Sequence, residues 1–119
     1  MTEPGEILPA GTVICTIGTA PNPLIAALPL PKQRGRLEVA PDMSVPAAPG
    51  VWALGDCAAV PNARDGGISP PTAQFAERQA RVLAANLVRK VRGVPTRPFG
   101  YRPVGQLAAI GFFEWTAVR

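Results

Sequence analysis

Apolar positions divide the chain into short segments separated by proline and glycine, with one long helical pattern among them. From Thr72 to Arg92 apolar residues recur every three or four positions, which predicts a helix about 30 Å long. Pro71 suits the start of this helix, and Gly93 and Pro95 suit its end. The predicted core-facing stripe consists of Ala73, Ala76, Ala80, Leu83, Leu87 and Val91.

The other apolar runs are short and predict strands joined by turns. The β-branched run between Gly11 and Gly18 predicts a buried strand. Alternating apolar and polar residues at 35–39 predict a strand, which continues at 41–46 as an extended edge. The unbroken apolar run at 51–54 predicts a strand covered on both faces. Further predicted elements are one helical turn at 24–28 and two antiparallel strands around Gly111, at 106–110 and 112–118.

Composition favours a globular but loop-rich protein and excludes several kinds of site. The 119 residues are 47% hydrophobic and include 15 prolines and 12 glycines, but no histidine. Without histidine, Ser-His-Asp and Cys-His catalysis cannot be assembled, and most zinc sites are excluded too. Cys15 and Cys57 lack CxxC spacing, so we predict buried thiols in a reducing cytoplasm and no metal site. The sequence has no apolar run of about 18 residues that could span a bilayer.

The net charge of +4 raises the question of an anionic partner. Six basic residues lie on or just past the predicted helix, without the interleaved aromatic residues that stack on bases. We therefore predict no nucleic-acid partner and interpret the charges as a solvated helix face. Contact with an anionic lipid surface stays open as the alternative.

Two neighbouring motifs indicate a ligand site. Gly55-Asp56 follows the predicted strand at 51–54, and a carboxylate at the end of a strand lies in the crevice where open α/β sheets bind ligands. Its oxygens accept hydrogen bonds from hydroxyl groups. The predicted helix then begins with Thr72, Ala73 and Gln74, whose free N–H groups and partial positive charge suit an anionic group. The plainer alternatives are a turn at Asp56 and an ordinary helix cap at Thr72.

Three stretches resemble a known family: TIGTAPNP, WALGDCA and PPTAQ. They are similar to the C-terminal portion of the FAD-binding domain in type II NADH:quinone oxidoreductases and their relatives in the FAD-dependent pyridine nucleotide-disulfide oxidoreductase superfamily. The resemblance implies an α/β fold: a partial Rossmann-type FAD-binding sheet with one long helix and a small antiparallel β element, together a fragment of a larger fold.

The resemblance also implies roles for individual residues. Asp56 would bond the ribityl hydroxyls of FAD, and Gly55 would let the backbone approach the cofactor closely. The backbone around Thr72, Ala73 and Gln74 would contact the flavin, and the Gln74 side chain would border the quinone site. The family tends to have the motif A-Q-x-A-x-Q, but this chain has Arg78 in the sixth place. Arg78 would put a cation near the quinone, so the identity of the electron acceptor stays open.

The expected parent protein passes a hydride from NADH to FAD and electrons to a quinone-type acceptor. The resemblance divides the chain into a return segment from the NADH-binding domain (1–18), the C-terminal part of the FAD-binding domain (19–93) and the start of a C-terminal domain (94–119). The Gly-x-Gly-x-x-Gly phosphate turn is missing from these residues, so we expect a fragment that is inactive alone. We expect a cytoplasmic location, with peripheral contact to the cytoplasmic face of a membrane open for the parent.

Two alternatives remain at this point. One is a self-standing interaction module without catalysis, a homodimer that pairs its sheet edges and Phe112 to Trp115 between copies. The other is a fragment of a sulfide:quinone oxidoreductase-like enzyme, which needs redox cysteines near the flavin. Cys15 and Cys57 are not placed as that chemistry requires.

Overall fold

A computed structural model describes residues 7, 9–14, 20–103, 105–109 and 115–118. Within them, α1 (Pro23–Ala27) precedes a three-stranded sheet and α2 (Ala73–Val91), and a separate two-stranded sheet follows. The predicted helical turn and the predicted long helix are both confirmed. Neither helix combines the length and the apolar character needed to cross a lipid bilayer, within the part of the chain that the structure describes.

The first sheet is small and has the order β1-β2-β3. β1 (Lys32–Gln33) pairs antiparallel with β2 (Arg36–Glu38), which pairs in parallel with β3 (Ala58–Ala59). The two-residue turn between β1 and β2 has left-handed φ angles of 51° at Arg34 and 78° at Gly35, as hairpin turns of this length favour. Glycine is required at Gly35, since a Cβ there would lie 2.6 Å from Cγ of Pro21.

The second sheet pairs β4 (Gln106–Ala109) with β5 (Trp115–Val118) in antiparallel register. Gln106 lies opposite Val118, and Ala109 lies opposite Trp115. The prediction of two antiparallel strands around Gly111 is therefore confirmed, although Gly111 itself lies outside the described residues. Phe112 and Phe113, which the dimer alternative invoked, lie outside them as well.

The prediction of a regular strand at 51–54 was wrong. Only Trp52 forms a β-bridge, antiparallel to Ser44, and Val51 is 43% exposed. A turn through Gly50, with φ of +86°, folds this segment back on 43–45, where Val45 N–H donates to Val51 O at 2.9 Å. The strand beside β2 is instead β3, which comes after the Gly-Asp motif and not before it.

The prediction that 41–46 continues the strand at 35–39 as an extended edge was also wrong. Met43 adopts a left-handed φ of 72°, and its N–H donates to Ala40 O at 2.8 Å, which closes a turn directly after β2. The run predicted as a strand between Gly11 and Gly18 has no regular structure at 12–14, and 15–18 lie outside the described residues.

The core-facing side of α2 differs from the predicted stripe. The buried residues of the helix are Phe75, Gln79, Leu83 and Asn86, so only Leu83 of the predicted stripe is fully buried. Ala73, Ala80, Leu87 and Val91 are exposed. Phe75 and Leu83 join the apolar core formed by Leu37, Val39, Met43, Val45, Ala53, Ala58, Val60 and Phe99. The helix thus packs on this core through two apolar and two amide side chains.

The amide side chains in α2 are buried because they hold other segments against the helix. Asn86 donates to Arg97 O at 2.8 Å and to Asp42 O at 3.2 Å, and accepts from Arg97 N–H at 2.9 Å. Buried polar groups are tolerated when they are hydrogen-bonded in this way. Asn86 consequently connects both the turn after β2 and the segment after α2 to the helix by hydrogen bonds.

Candidate functional site

The Gly-Asp motif forms a tight turn on the surface of α2. Gly55–Cys57 is a single 3₁₀ turn, and Gly55 has a left-handed φ of 70° that glycine adopts without strain. A Cβ at this glycine would lie 3.5 Å from Cβ of Ala76, so the turn packs closely on the helix. Asp56, the next residue, is exposed.

Gln79 holds this turn in place, although no role was predicted for it from the sequence. Its buried side chain accepts a hydrogen bond from Gly55 N–H, with 2.7 Å between Oε1 and nitrogen. Gln79 lies four residues after Phe75 and four before Leu83, so its place on one helix face with two large apolar residues was the available signal. Gln79 thereby fixes the position from which Asp56 projects.

Asp56 lines an open cleft of about 640 Å³. Cys57 and Pro71 line the same cleft, as do Arg34 and Arg36 from the β1–β2 hairpin. Arg36 is held by its Nη1, which donates to Ser69 O at 2.9 Å, whereas Arg34 is exposed. The carboxylate of Asp56 makes no hydrogen bond to another described residue. The cleft therefore offers one carboxylate and, elsewhere in its lining, two arginines to a ligand with hydroxyl and anionic groups.

Cys57 is less buried than the sequence predicted. Its side chain is half-buried and lines the cleft, and its thiol donates to Leu54 O at 3.1 Å. The prediction of a fully buried thiol was wrong because the turn at 55–57 lies at the edge of the core. Cys15 lies outside the described residues.

The start of α2 offers fewer free N–H groups than predicted. Thr72 is the N-cap, but its side chain makes no capping hydrogen bond. Its own N–H donates to Pro70 O at 3.0 Å, so the prediction that this group is free was wrong. The next two N–H groups, of Ala73 and Gln74, have no partner among the described residues, and the first turn contains no acidic residue. These two groups and the helix dipole suit a negatively charged edge of a ligand.

Gln74 and Arg78 both contact Tyr101. The Tyr101 hydroxyl donates to Oε1 of Gln74 at 2.9 Å, and the Arg78 guanidinium lies 5.3 Å from the centre of the Tyr101 ring. The cleft that contains Asp56 reaches the helix start only at Pro71; it is not lined by Thr72, Ala73, Gln74 or Arg78. The structure thus places Asp56 in the cleft and groups Gln74 and Arg78 around Tyr101.

This arrangement fits a flavin by its donor chemistry. A free carboxylate suits the hydroxyls of the ribityl chain, and the two N–H groups with the helix dipole suit the flavin edge that gathers charge on reduction. Gly55 itself does not line the cleft; its N–H donates to Gln79 and its carbonyl accepts from Ala58 N–H, so it supports the turn that carries Asp56. The residues present are therefore compatible with FAD.

Comparison with known proteins identifies the family of this chain. The sequence profile of the pyridine nucleotide-disulphide oxidoreductase family matches residues 1–80, about two thirds of the chain. The chain belongs to this family. Membership in the pyridine nucleotide-disulphide oxidoreductases implies a Rossmann-like α/β fold, and it confirms the resemblance drawn from the three sequence motifs.

The similar proteins are named as NAD(P)H-ubiquinone, NADH:quinone or demethylphylloquinone reductases or oxidoreductases. The chain is 31% identical over 121 residues to the internal alternative NAD(P)H-ubiquinone oxidoreductase A1 of Solanum tuberosum, covering 92% of the chain and 24% of the relative. It is 34% identical over 110 residues to demethylphylloquinone reductase NdbB of Synechocystis, covering 92% and 27%. It is 29% identical over 104 residues to type II NADH:quinone oxidoreductase of Staphylococcus aureus, covering 87% and 26%. The chain spans about a quarter of the length of these relatives.

Proposed function

We propose that these residues form part of the FAD site of an oxidoreductase that passes a hydride from NADH to FAD and electrons to a quinone-type acceptor. The observation that carries the proposal is the cleft that Asp56 shares with Pro71, just before the open first turn of α2. Similarity to NAD(P)H:quinone oxidoreductases over about nine tenths of the chain supports the same conclusion.

Each group has a separate task in this proposal. Asp56 binds the ribityl hydroxyls, and Gln79 sets its position through Gly55. The N–H groups of Ala73 and Gln74 bind the flavin edge, following Thr72 as the cap. FAD, when bound, accepts a hydride and passes the electrons on. The positive end of α2 favours the reduced, more negative flavin and so raises its reduction potential.

Gln74 and Arg78 border the acceptor in this proposal. Gln74 carries an amide that can donate to a quinone carbonyl, and Arg78 adds a positive charge nearby. The carboxylate of Glu77 lies 3.7 Å from Arg78 but is bound more closely by Arg81, at 2.5 Å, so Arg78 keeps its positive charge. A quinone therefore meets an amide donor and a cation, and both can interact with its carbonyl oxygens.

The domain boundaries belong to the same proposal. We place 19–93 in the FAD-binding domain, 1–18 in the return from an NADH-binding domain, and 94–119 at the start of a C-terminal domain. The segment after α2 is tied to the FAD part by Asn86 and by Tyr101, so the last boundary is crossed by hydrogen bonds.

Reduction of a quinone tests the proposal. The natural polypeptide that carries these residues is purified, its visible absorption spectrum is recorded, and NADH is added with and without ubiquinone-1. We expect a flavin spectrum that NADH bleaches and ubiquinone-1 restores. A protein that binds no flavin, or whose reduced flavin is not reoxidised by ubiquinone-1, would contradict the proposal.

A further inference from the structure

Tyr101 connects the segment after α2 to the start of that helix. Its ring packs edge-on against Phe75 with 5.2 Å between centroids, and Phe75 is buried in the core. Its backbone is held from the other side, because the buried side chain of Asn62 donates to Tyr101 O at 2.8 Å and accepts from Tyr101 N–H at 3.0 Å. Tyr101 is thus fixed at both its backbone and its ring.

The fixed hydroxyl determines how the Gln74 amide is presented. Because Tyr101 Oη donates to Oε1 of Gln74 at 2.9 Å, the amide oxygen is engaged and the amide NH₂ is left to donate elsewhere. Gln74 is exposed, so without this bond its amide could rotate and offer either the oxygen or the nitrogen. A carbonyl acceptor can use only the nitrogen.

The same ring holds Arg78. The guanidinium lies 5.3 Å from the ring centre, within the range of a cation–π interaction. Glu77 lies 3.7 Å from Arg78 but is bound more closely by Arg81, so the Tyr101 ring is the main partner of Arg78. One aromatic residue therefore contacts both side chains that the proposed function places at the acceptor.

We infer that Tyr101 is a positioning residue of the acceptor site, which directs the Gln74 amide NH₂ and the Arg78 guanidinium toward a carbonyl-bearing acceptor. This inference rests on the proposed function for the identity of the acceptor. The hydrogen bond and the ring contacts concern this chain alone.

Kinetics of two variants test the inference. Tyr101→Phe removes the hydroxyl and keeps the ring, and Thr96→Val is the matched control because it also removes one hydrogen-bonded hydroxyl from the same segment, at 2.7 Å from Asp42. In the flavin-loaded protein we expect Tyr101→Phe to raise KM for ubiquinone-1 about fivefold, with kcat and the reduction of ferricyanide unchanged. Thr96→Val should leave KM unchanged. An unchanged KM in Tyr101→Phe would overturn the inference.

A second measurement does not depend on activity. In the NMR spectrum of the 119-residue chain, Tyr101→Phe should shift the side-chain amide signals of Gln74, whereas Thr96→Val should not. Unshifted Gln74 amide signals in Tyr101→Phe would overturn the positioning role. If the wild-type protein reduces no quinone while the signals shift as expected, the proposed function fails, the assignment of the acceptor fails with it, and the contact between Tyr101 and Gln74 stands.

Discussion

Gln79 and Gly55 are joined by a hydrogen bond of 2.7 Å from the backbone N–H of the glycine to Oε1 of the glutamine. The bond connects the middle of α2 to the turn that carries Asp56, across 24 positions of sequence. Since Gln79 is only 2% exposed, loss of either partner leaves a buried polar group unpaired. The position of the candidate cofactor ligand therefore depends on a side chain outside the cleft.

Replacement of Gln79 by alanine should destabilise the protein. The substitution leaves Gly55 N–H without its acceptor and opens a small cavity, so we expect a loss of about 1–3 kcal/mol in the free energy of unfolding. Urea denaturation measures this loss. Gln33→Ala is the matched control, because Gln33 is exposed on β1 and its replacement should change stability by less than about 0.5 kcal/mol. Equal effects of the two substitutions would show that the bond to Gly55 does not stabilise the fold.

Replacement of Gly55 by alanine should strain the same turn. The φ of 70° costs a residue with a Cβ about 1–2 kcal/mol, while the added methyl meets Ala76 at an ordinary 3.5 Å. Urea denaturation should show a loss of this size. Gly11→Ala serves as the control, because no atom lies within 4 Å of a Cβ there and its φ is not left-handed. A Gly55→Ala protein as stable as Gly11→Ala would contradict a requirement for glycine at this turn.

Asp42 should make stability depend on pH. Burial alone raises the pKa of this carboxyl, but hydrogen bonds from Ser44 and Thr96 outweigh it and hold the pKa below its ordinary value. A lowered pKa in the folded state means that the ionised group stabilises the fold above the unfolded-state pKa of about 4. This contribution is lost as pH falls through the lower, folded-state pKa.

The Asp42→Asn variant isolates this effect. We expect it to lose about 1 kcal/mol at neutral pH, and to lose less further stability than the wild type when the pH falls below about 4. Urea midpoints at several pH values measure both quantities. Glu38→Gln, which removes an exposed carboxylate on β2, is the control and should retain the wild-type pH dependence. If Asp42→Asn keeps the full acid sensitivity of the wild type, other groups are responsible for it.

Elements with a strong and regular pattern could be predicted from sequence. The helix predicted from Thr72 to Arg92 is observed from Ala73 to Val91, because its period, its preceding proline and its terminal glycine agree with each other. The strand pair after it was likewise predicted. The strand at 51–54 was not correctly predicted, since a short apolar run looks the same whether it enters a parallel sheet or folds back at Gly50.

Buried polar residues limited the prediction of the site. Gln79 and Asn86 occur on the core side of α2, but a polar residue in an amphipathic helix is ordinarily assigned to the solvent side. Their partners, Gly55 and Arg97, are identified only when the chain is folded. The candidate cofactor residues were selected from sequence because they lie in short motifs with a direct chemical rationale, and their roles stay predictions.

Affinity for FAD tests the central claim, that Asp56 binds the cofactor at the cleft beside the start of α2. The natural polypeptide that carries these residues is freed of flavin and titrated with FAD as wild type, as Asp56→Asn and as the control Glu38→Gln. We predict that Asp56→Asn raises Kd about tenfold to a hundredfold, because a carboxylate that accepts hydroxyl hydrogen bonds loses its charge, and that Glu38→Gln leaves Kd unchanged. Wild-type affinity in Asp56→Asn, or no FAD binding by the wild type, would contradict the account.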